Sequence, residues 1–391
     1  PKTLITCALR LEMGSAPRAA GGPAAELKCH CLGQDWRQPS PEEYDSPANR
    51  GSDPKRVGAE LAALPANTWV TRKPPLTTAS RTWGSYAYDA RTHKAYAWGG
   101  GHGGYPGADV SEYDVLRNRW TSMVDPPDFK HPWRHMNSGD RPPGLTYQGC
   151  GLIQIHGQKT YKVDPLSDCV INLYGQTYDI PERRFTGSIG PCPGNWRKTN
   201  YFPSYVTTTH GLYAFSSNQE GHLYRANVAA GNWELAAKGG CRKHHDFNPT
   251  AHDSKRDRLL YVDYIKGALW AFDFKSGKWS EEQTKGKIPA GAGGDPAYIP
   301  ELDAFLFVSA PGGIAGKGPL SMYFYKPAEK KWYTAAYQGL QTGPDGGAKL
   351  CNSTFYDPKL KICLRICGHR RPLQVLVMRL EPGQFALNAC K

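Results

Sequence analysis

The run Gly99-Gly100-Gly101-His102-Gly103-Gly104-Tyr105 is the strongest local signal for chemistry in the chain. Glycines on both sides let the backbone approach a ligand closely and leave His102 and Tyr105 uncrowded. An imidazole there can exchange protons near neutral pH without a large pKa shift. Polar candidates recur further along: Tyr147, the pair Arg183 and Arg184, Trp196 and Arg197, then Tyr205 and His210. Histidine and tyrosine can act as general acid or base, and arginine can hold an anion. Taken singly, each also fits a surface or packing role. Their joint occurrence in loops makes His102, Tyr105, Tyr147, Arg184, Arg197 and His210 the candidate catalytic set, because sites tend to be built on loops carried by a rigid scaffold.

A second cluster, Cys241-Arg242-Lys243-His244-His245-Asp246 with His252 seven residues after His245, is the densest group of possible metal ligands. Its spacing matches no standard zinc-finger pattern. Cys241, His244, His245 and His252 are the candidate ligands, Zn²⁺ or Ca²⁺ the candidate cofactor, and no organic cofactor is expected. Cys29-His30-Cys31 is a further metal or disulfide candidate, and disulfides to the body of the protein are its blander reading. Cys363 and Cys367 share a face of a strand-like run but sit too far apart to bond each other, so different disulfide partners are expected. There is no G-x-S-x-G, P-loop, H-E-x-x-H or dinucleotide fingerprint.

The elements that must position these residues repeat. An aromatic residue, usually followed by Asp, is answered by a second aromatic seven positions later: Tyr113 and Trp120, Tyr178 and Phe185, Phe272 and Trp279, Tyr325 and Trp332, with a stretched copy at Tyr224 and Trp233. Other hairpins carry charged turns, as in YDARTHKAYAW from Tyr88, HDSKRDRLLYV from His252, YIPELDAFLFV from Tyr298 and FYDPKLKICLRI from Phe355. Two hairpins per unit make a four-stranded antiparallel sheet, and units recur at roughly 45 to 60 residues, the propeller range. Six units are visible, with room for a degenerate seventh. The last lacks an outer strand, and LPANTWVTRK, Leu64 to Lys73, stands alone before the first. Supplying that strand from the N-terminal side closes the ring and leaves no open sheet edge.

The segment WGGGHGGYPGADVSEYDVLRNRW, Trp98 to Trp120, resembles a kelch or galactose-oxidase-type propeller repeat. The resemblance covers about residues 64 to 382 and implies an all-β fold: a single kelch-like β-propeller over residues 61–391, behind an irregular N-terminal arm over 1–60. It does not carry over copper oxidase chemistry, since the copper-binding residues of galactose oxidase cannot be assigned here. More weakly, the chain is similar to propeller-fold polysaccharide lyases such as ulvan lyases. That likeness implies Arg or His neutralising a uronate carboxylate, Tyr or His removing the adjacent C–H proton, and Tyr returning a proton to the leaving oxygen.

Composition sets the outer bounds. With 391 residues, 43 glycines and 32 prolines spread along its length, the chain disfavours long helices, and no apolar run reaches the length of a membrane-spanning helix. A net charge of +13 favours an anionic partner. Nucleic acid is disfavoured, because Lys and Arg are dispersed through hairpin turns without a recognised motif. Eleven cysteines point to an exported protein, secreted or periplasmic. The functional expectation is an exported propeller that acts on, or binds, an acidic polysaccharide. If it is an enzyme, it is a polysaccharide lyase. The alternative is a non-catalytic module that binds glycan or protein, with the N-terminal arm contacting a protein partner in a larger assembly.

Overall fold

A seven-residue separation between aromatics is what a hairpin with a four-residue turn imposes. Tyr113 and Trp120 are direct cross-strand partners with ring centroids 5.1 Å apart. The same holds for Tyr178 and Phe185 at 5.1 Å, Phe272 and Trp279 at 5.3 Å, and Tyr325 and Trp332 at 5.0 Å. Each turn closes through a left-handed residue just before the second strand or its first residue, at Asn118, Arg183, Gly277 and Lys330. In the stretched copy Tyr224 pairs with Leu235 instead. Its Trp233 packs on Tyr205 at 5.3 Å and donates its indole N–H to the Gly190 carbonyl, stapling two neighbouring sheets.

The computed structural model describes residues 27–29, 34–36, 39–78, 85–98, 110–122, 160–194, 203–215, 221–239, 249–263, 266–289, 296–309, 321–339, 353–367 and 373–390. A short hairpin, β1 (Leu27–Cys29) with β2 (Gln34–Trp36), is followed by helices α1 (Pro41–Asp45) and α2 (Pro54–Ala62) and by strand β3 (Trp69–Thr71). Blade 1 comprises β4 (Ser85–Asp89), β5 (Lys94–Trp98), β6 (Val110–Asp114) and β7 (Arg119–Ser122). Blade 2 comprises β8 (Lys162–Asp164), β9 (Cys169–Ile171), β10 (Gln176–Asp179) and β11 (Arg184–Ser188). Blade 3 is β12 (Ser204–Thr208), β13 (Gly211–Phe215), β14 (Leu223–Asn227) and β15 (Asn232–Ala237). Blade 4 is β16 (Thr250–Asp253), β17 (Arg258–Asp263), β18 (Ala268–Asp273) and β19 (Lys278–Glu281). Blade 5 is β20 (Ala297–Ile299), β21 (Ala304–Ser309), β22 (Ser321–Lys326) and β23 (Lys331–Ala335). Blade 6 is β24 (Ser353–Asp357), β25 (Ile362–Cys367) and β26 (Gln374–Arg379), and β27 (Leu387–Ala389) adds a fifth strand to blade 5.

The protein is a six-bladed propeller. The first strand of each blade contacts the first strands of the blades on either side, and β24 returns to β4, so the inner strands form a closed ring. The fourth strand of blade 6 is β3, antiparallel to β26 with Trp69 opposite Met378 and Val70 opposite Val377. The isolated strand before the first unit is therefore the ring closure that the repeat count requires. Apolar clusters lie between neighbouring blades, and the largest joins blades 1, 5 and 6 across the closure.

Two expectations from sequence are corrected. Residues 1–60 are expected as an irregular arm, yet α1 (Pro41–Asp45) lies within them and α2 (Pro54–Ala62) runs across their end. Ser40 and Glu43 form a reciprocal capping box on α1, and the Asp53 carboxylate caps α2. Tyr44, Val57 and Leu61 are buried in the main cluster, and the Asn49 amide bridges the carbonyls of Tyr44 and Trp120. The disulfide expectation also changes, because Cys169, Cys192, Cys363 and Cys390 are all thiols. Burial pushes the Cys169 thiol up to about 11 and those of Cys192 and Cys363 higher still, so these are packing groups rather than reactive ones. The side chain of Cys29 and all of His30 and Cys31 lie outside the described residues. No helix among the described residues is long and apolar enough to cross a membrane.

Candidate functional site: the central channel

The inner strands run toward one face of the ring and end there in tight turns. Four of these turns open with a buried aspartate: Asp89, Asp164, Asp253 and Asp357. Each carboxylate accepts backbone N–H groups of its own turn, from Arg91, Leu166, Arg256, and both Lys359 and Leu360. The residue before the aspartate then has a defined direction. Tyr88, His252 and Tyr356 hold that position, and with Lys162, Tyr298 and Phe355 they line a cavity of about 370 Å³ on the ring axis. Its size is that of an ordinary small-ligand site.

The wall is aromatic, cationic and rich in donors. Lys162 supplies a positive charge, its Nζ 5.7 Å from the centroid of the Phe355 ring. Burial, reinforced by nearby carboxylates, pushes three phenols far up: Tyr88 beside Asp357, Tyr298 beside Asp303 and Tyr356 beside Glu301. These phenols stay protonated at neutral pH and act as hydrogen-bond donors, not bases. Burial pulls the His252 pKa below its usual value, so that imidazole is uncharged at neutral pH. Its Nε2 is buried without a hydrogen bond, as is the Thr250 hydroxyl two residues earlier on the same face of β16.

Around the wall, polar latches join the blades at this same face. Tyr88 Oη donates to Asp357 Oδ2 at 2.5 Å, and His93 Nδ1 lies 2.6 Å from the same oxygen, tying blade 1 to blade 6. Arg91 donates to Asp168 of blade 2, and the amide of Leu212 in blade 3 donates to Asp164. His210 Nε2 stands 2.6 Å from Asp257 Oδ1, joining blades 3 and 4. The Arg256 guanidinium grips Asp303 with two bonds of 2.8 and 2.7 Å, helped by Lys255 and Tyr298, and joins blades 4 and 5.

The Arg256 guanidinium beside Asp303 holds that carboxyl well below the usual carboxylate range. A depressed folded-state pKa gives stability that is complete above the ordinary carboxylate pKa and lost as pH falls through the folded one. Asp303→Asn is therefore expected to cost about 2 kcal/mol at pH 7, the worth of its charge-assisted bonds. Thermal scans should show the gap between wild type and variant closing as the pH drops below about 4. A gap that stays constant into acid would contradict this assignment.

The sequence candidates are dispersed by the fold. Arg184 begins the outermost strand of blade 2, is exposed and pairs with Glu182, so it does not reach the channel. His210 sits in the inner turn of blade 3 as the blade 3–4 latch, beside the channel and not in its wall. His252 does line the channel, as does Tyr205, whose hydroxyl donates to the Asn172 carbonyl. His102, Tyr105, Tyr147, Arg197, Cys241, His244 and His245 lie outside the described residues. The strand ends that their segments connect stand at the opposite end of the ring from the inner turns.

Neither a family model nor a curated protein matches the sequence. Among solved structures the chain is similar to a structural genomics protein of unknown function from Bacteroides thetaiotaomicron VPI-5482, at 11% identity and a TM-score of 0.47 over 81% of this chain and 73% of that one. It is also similar to the WD40 repeats of RRP9, at 9% identity and a TM-score of 0.45 over 81% of this chain and 99% of that one.

The wall residues left a trace in the sequence that loop-centred reasoning passed over. The dipeptides Tyr88-Asp89, His252-Asp253 and Tyr356-Asp357 begin three of the charged turns. In these three turns the buried aspartate fixes the backbone and the residue before it lines the channel.

Proposed function

We propose that this protein is an exported propeller that binds the end of an acidic polysaccharide chain in its central channel. The observation that carries the reading is the composition of the wall, with Lys162 beside Phe355 and phenols held protonated around them. A cation meets the carboxylate of a uronate, aromatic faces stack on sugar rings, and the oxygens of Tyr88 and Tyr298, whose protons are held by Asp357 and Asp303, accept from sugar hydroxyls. The inner strands enclose the cavity on all sides. A polymer therefore enters by an end, one or two sugars deep. The overall charge of +13 draws polyanions toward the ring.

Binding is favoured over lyase chemistry by the phenols. β-Elimination needs a base for the proton beside the carboxylate; burial drives these tyrosines away from that role, which leaves the uncharged His252 imidazole as the base the described wall residues offer to the lyase alternative. Titrating the protein with short oligouronates, followed by tryptophan and tyrosine fluorescence, tests the reading. Lys162→Gln should weaken binding at least about tenfold, the loss of one charge-assisted contact in a partly dry site. Equal affinity of the variant, or no binding to any polyuronate, would overturn it. Growth of ultraviolet absorbance from an unsaturated product during the titration would instead establish the lyase reading.

A further inference from the structure

We propose that the channel-mouth face of blades 4, 5 and 6 is a docking surface for the body of the acidic polysaccharide whose end the channel holds, an inference that rests on that reading. In a four-stranded meander the turn joining the first two strands and the turn joining the last two lie at the same end of the sheet. The outer turns therefore stand on the face where the inner turns surround the cavity. Blade 4 carries the contact directly. The Phe274 N–H of its outer turn donates to the Asp257 carbonyl of its inner turn, and the Phe274 ring lies 6.0 Å from that of His252 in the channel wall.

Five exposed lysines stand on these turns: Lys275 and Lys278 in the outer turn of blade 4, Lys330 in that of blade 5, and Lys359 and Lys361 in the inner turn of blade 6. Their neighbours Lys255 and Arg256 hold Asp303, and Lys326 holds Glu329, whereas these five make no ion pair among the described residues. The carboxylates on the same turns are occupied elsewhere. Asp273 accepts from the Ser276 amide at 2.6 Å, Glu329 from the Tyr333 hydroxyl as well as Lys326, and Asp357 is buried in its own network.

The charge is one-sided around the ring. In blades 1 and 2 the turn cations Arg91, Arg117 and Arg184 sit on Asp168, Asp114 and Glu182. The turns of blade 3 hold no lysine or arginine, and their His210 is taken by Asp257. Unpaired like charges gathered over three adjacent blades repel one another, and a polyanion relieves that repulsion. Lysine ammoniums on flexible stems suit carboxylates spaced along a polymer, because they need no fixed geometry. Single-stranded nucleic acid asks instead for aromatic platforms among the cations. The aromatic within these three turns is Phe274, and its ring is packed against Tyr213 and Phe272. A chain whose end sits in the channel thus leaves it over blades 4 to 6.

The test compares digalacturonate with octagalacturonate by fluorescence titration of the full chain. In wild type the octamer should bind at least about tenfold tighter than the dimer, and added salt should shrink that gain. A variant with Lys275→Gln, Lys278→Gln, Lys330→Gln, Lys359→Gln and Lys361→Gln, checked for folding by circular dichroism, should hold the dimer within about twofold of wild type and lose the octamer gain. Arg117→Gln combined with Arg184→Gln should keep it. An octamer no tighter than the dimer, a gain that survives in the lysine variant, or one lost equally in the arginine variant overturns the proposal. Tighter binding of an oligonucleotide of the same charge overturns the assignment to a polysaccharide. The dimer reads the channel and the octamer gain reads the lysine face, so failure of one is distinguishable from failure of the other.

Discussion

Replacing Trp69 by alanine is expected to lower the stability of the whole propeller by about 3 to 5 kcal/mol and its Tm by about 4 to 6 °C. Trp69 is 2% exposed and belongs to the largest apolar cluster, the one that joins the first and last blades. Truncating it removes the contacts that tie an N-terminal strand to a sheet built by residues more than three hundred positions later. That strand is held from both sides. Asn67 and Arg72 donate backbone N–H bonds to Arg379 and Val375 of blade 6, and Trp69 donates one to Gln338 at the end of blade 5.

Gly339 provides a second, independent variant. Its backbone lies at φ 77, and a Cβ there would sit 2.0 Å from the Trp69 carbonyl oxygen. Gly339→Ala must push the closing strand off its seat, and its destabilisation should match that of Trp69→Ala. Differential scanning calorimetry on both variants is the measurement. If both melt within about 2 °C of wild type, residues 69–71 are not what closes the ring.

How far the sequence carried this architecture follows from which interactions are local. The seven-residue aromatic spacing is a property of one hairpin, so it was readable at Tyr113 and Trp120 without any knowledge of other blades. The stretched copy at Tyr224 was readable as a hairpin but not as a staple, because Trp233 bonds to Gly190 of the preceding blade. The closing strand was found by its isolation, since a propeller must pair every edge. Helices α1 and α2 were missed although Ser40 and Glu43 form a capping box, because proline, serine and aspartate flank them and a five-residue helix has almost no periodicity to detect.

The site was less legible for a related reason. Arg184 and His210 have the right side chains for acid-base chemistry, yet both are occupied by carboxylates, Glu182 in its own hairpin and Asp257 on the next blade. Residue type does not reveal the His210 partner, which lies forty-seven positions away on the next blade, whereas the Glu182 partner of Arg184 is only two positions off in its own turn. The charged turns look like solvated rims in sequence, yet the opening aspartates of four inner turns are buried and organise both the channel wall and the boundaries between blades.

Asp357 carries the largest share of that organisation, and Asp357→Ala is expected to cost about 3 to 5 kcal/mol. Its carboxylate is fully buried and accepts from the amides of Lys359 and Leu360 in its own turn. It also accepts from the Tyr88 hydroxyl and pairs with His93, both of blade 1. Alanine leaves all four groups without their acceptor inside the closure, where each unsatisfied group costs on the order of 1 to 3 kcal/mol before relaxation. Asp357→Asn keeps the shape and one carbonyl oxygen for the two amides, so it should lose less, about 1 to 2 kcal/mol. Tyr88→Phe removes only the phenol end of the network and should fall below both. The same substitutions separate stability from function, because Tyr88 also lines the channel. Without the carboxylate its phenol is no longer aimed, and oligouronate affinity should drop in Asp357→Asn even at temperatures where the variant is fully folded. Thermal melts ordered Ala, Asn, Phe from most to least destabilised, with an affinity loss in folded Asp357→Asn, are the expected pattern. An alanine variant as stable as wild type would show that the closure rests on its apolar contacts alone.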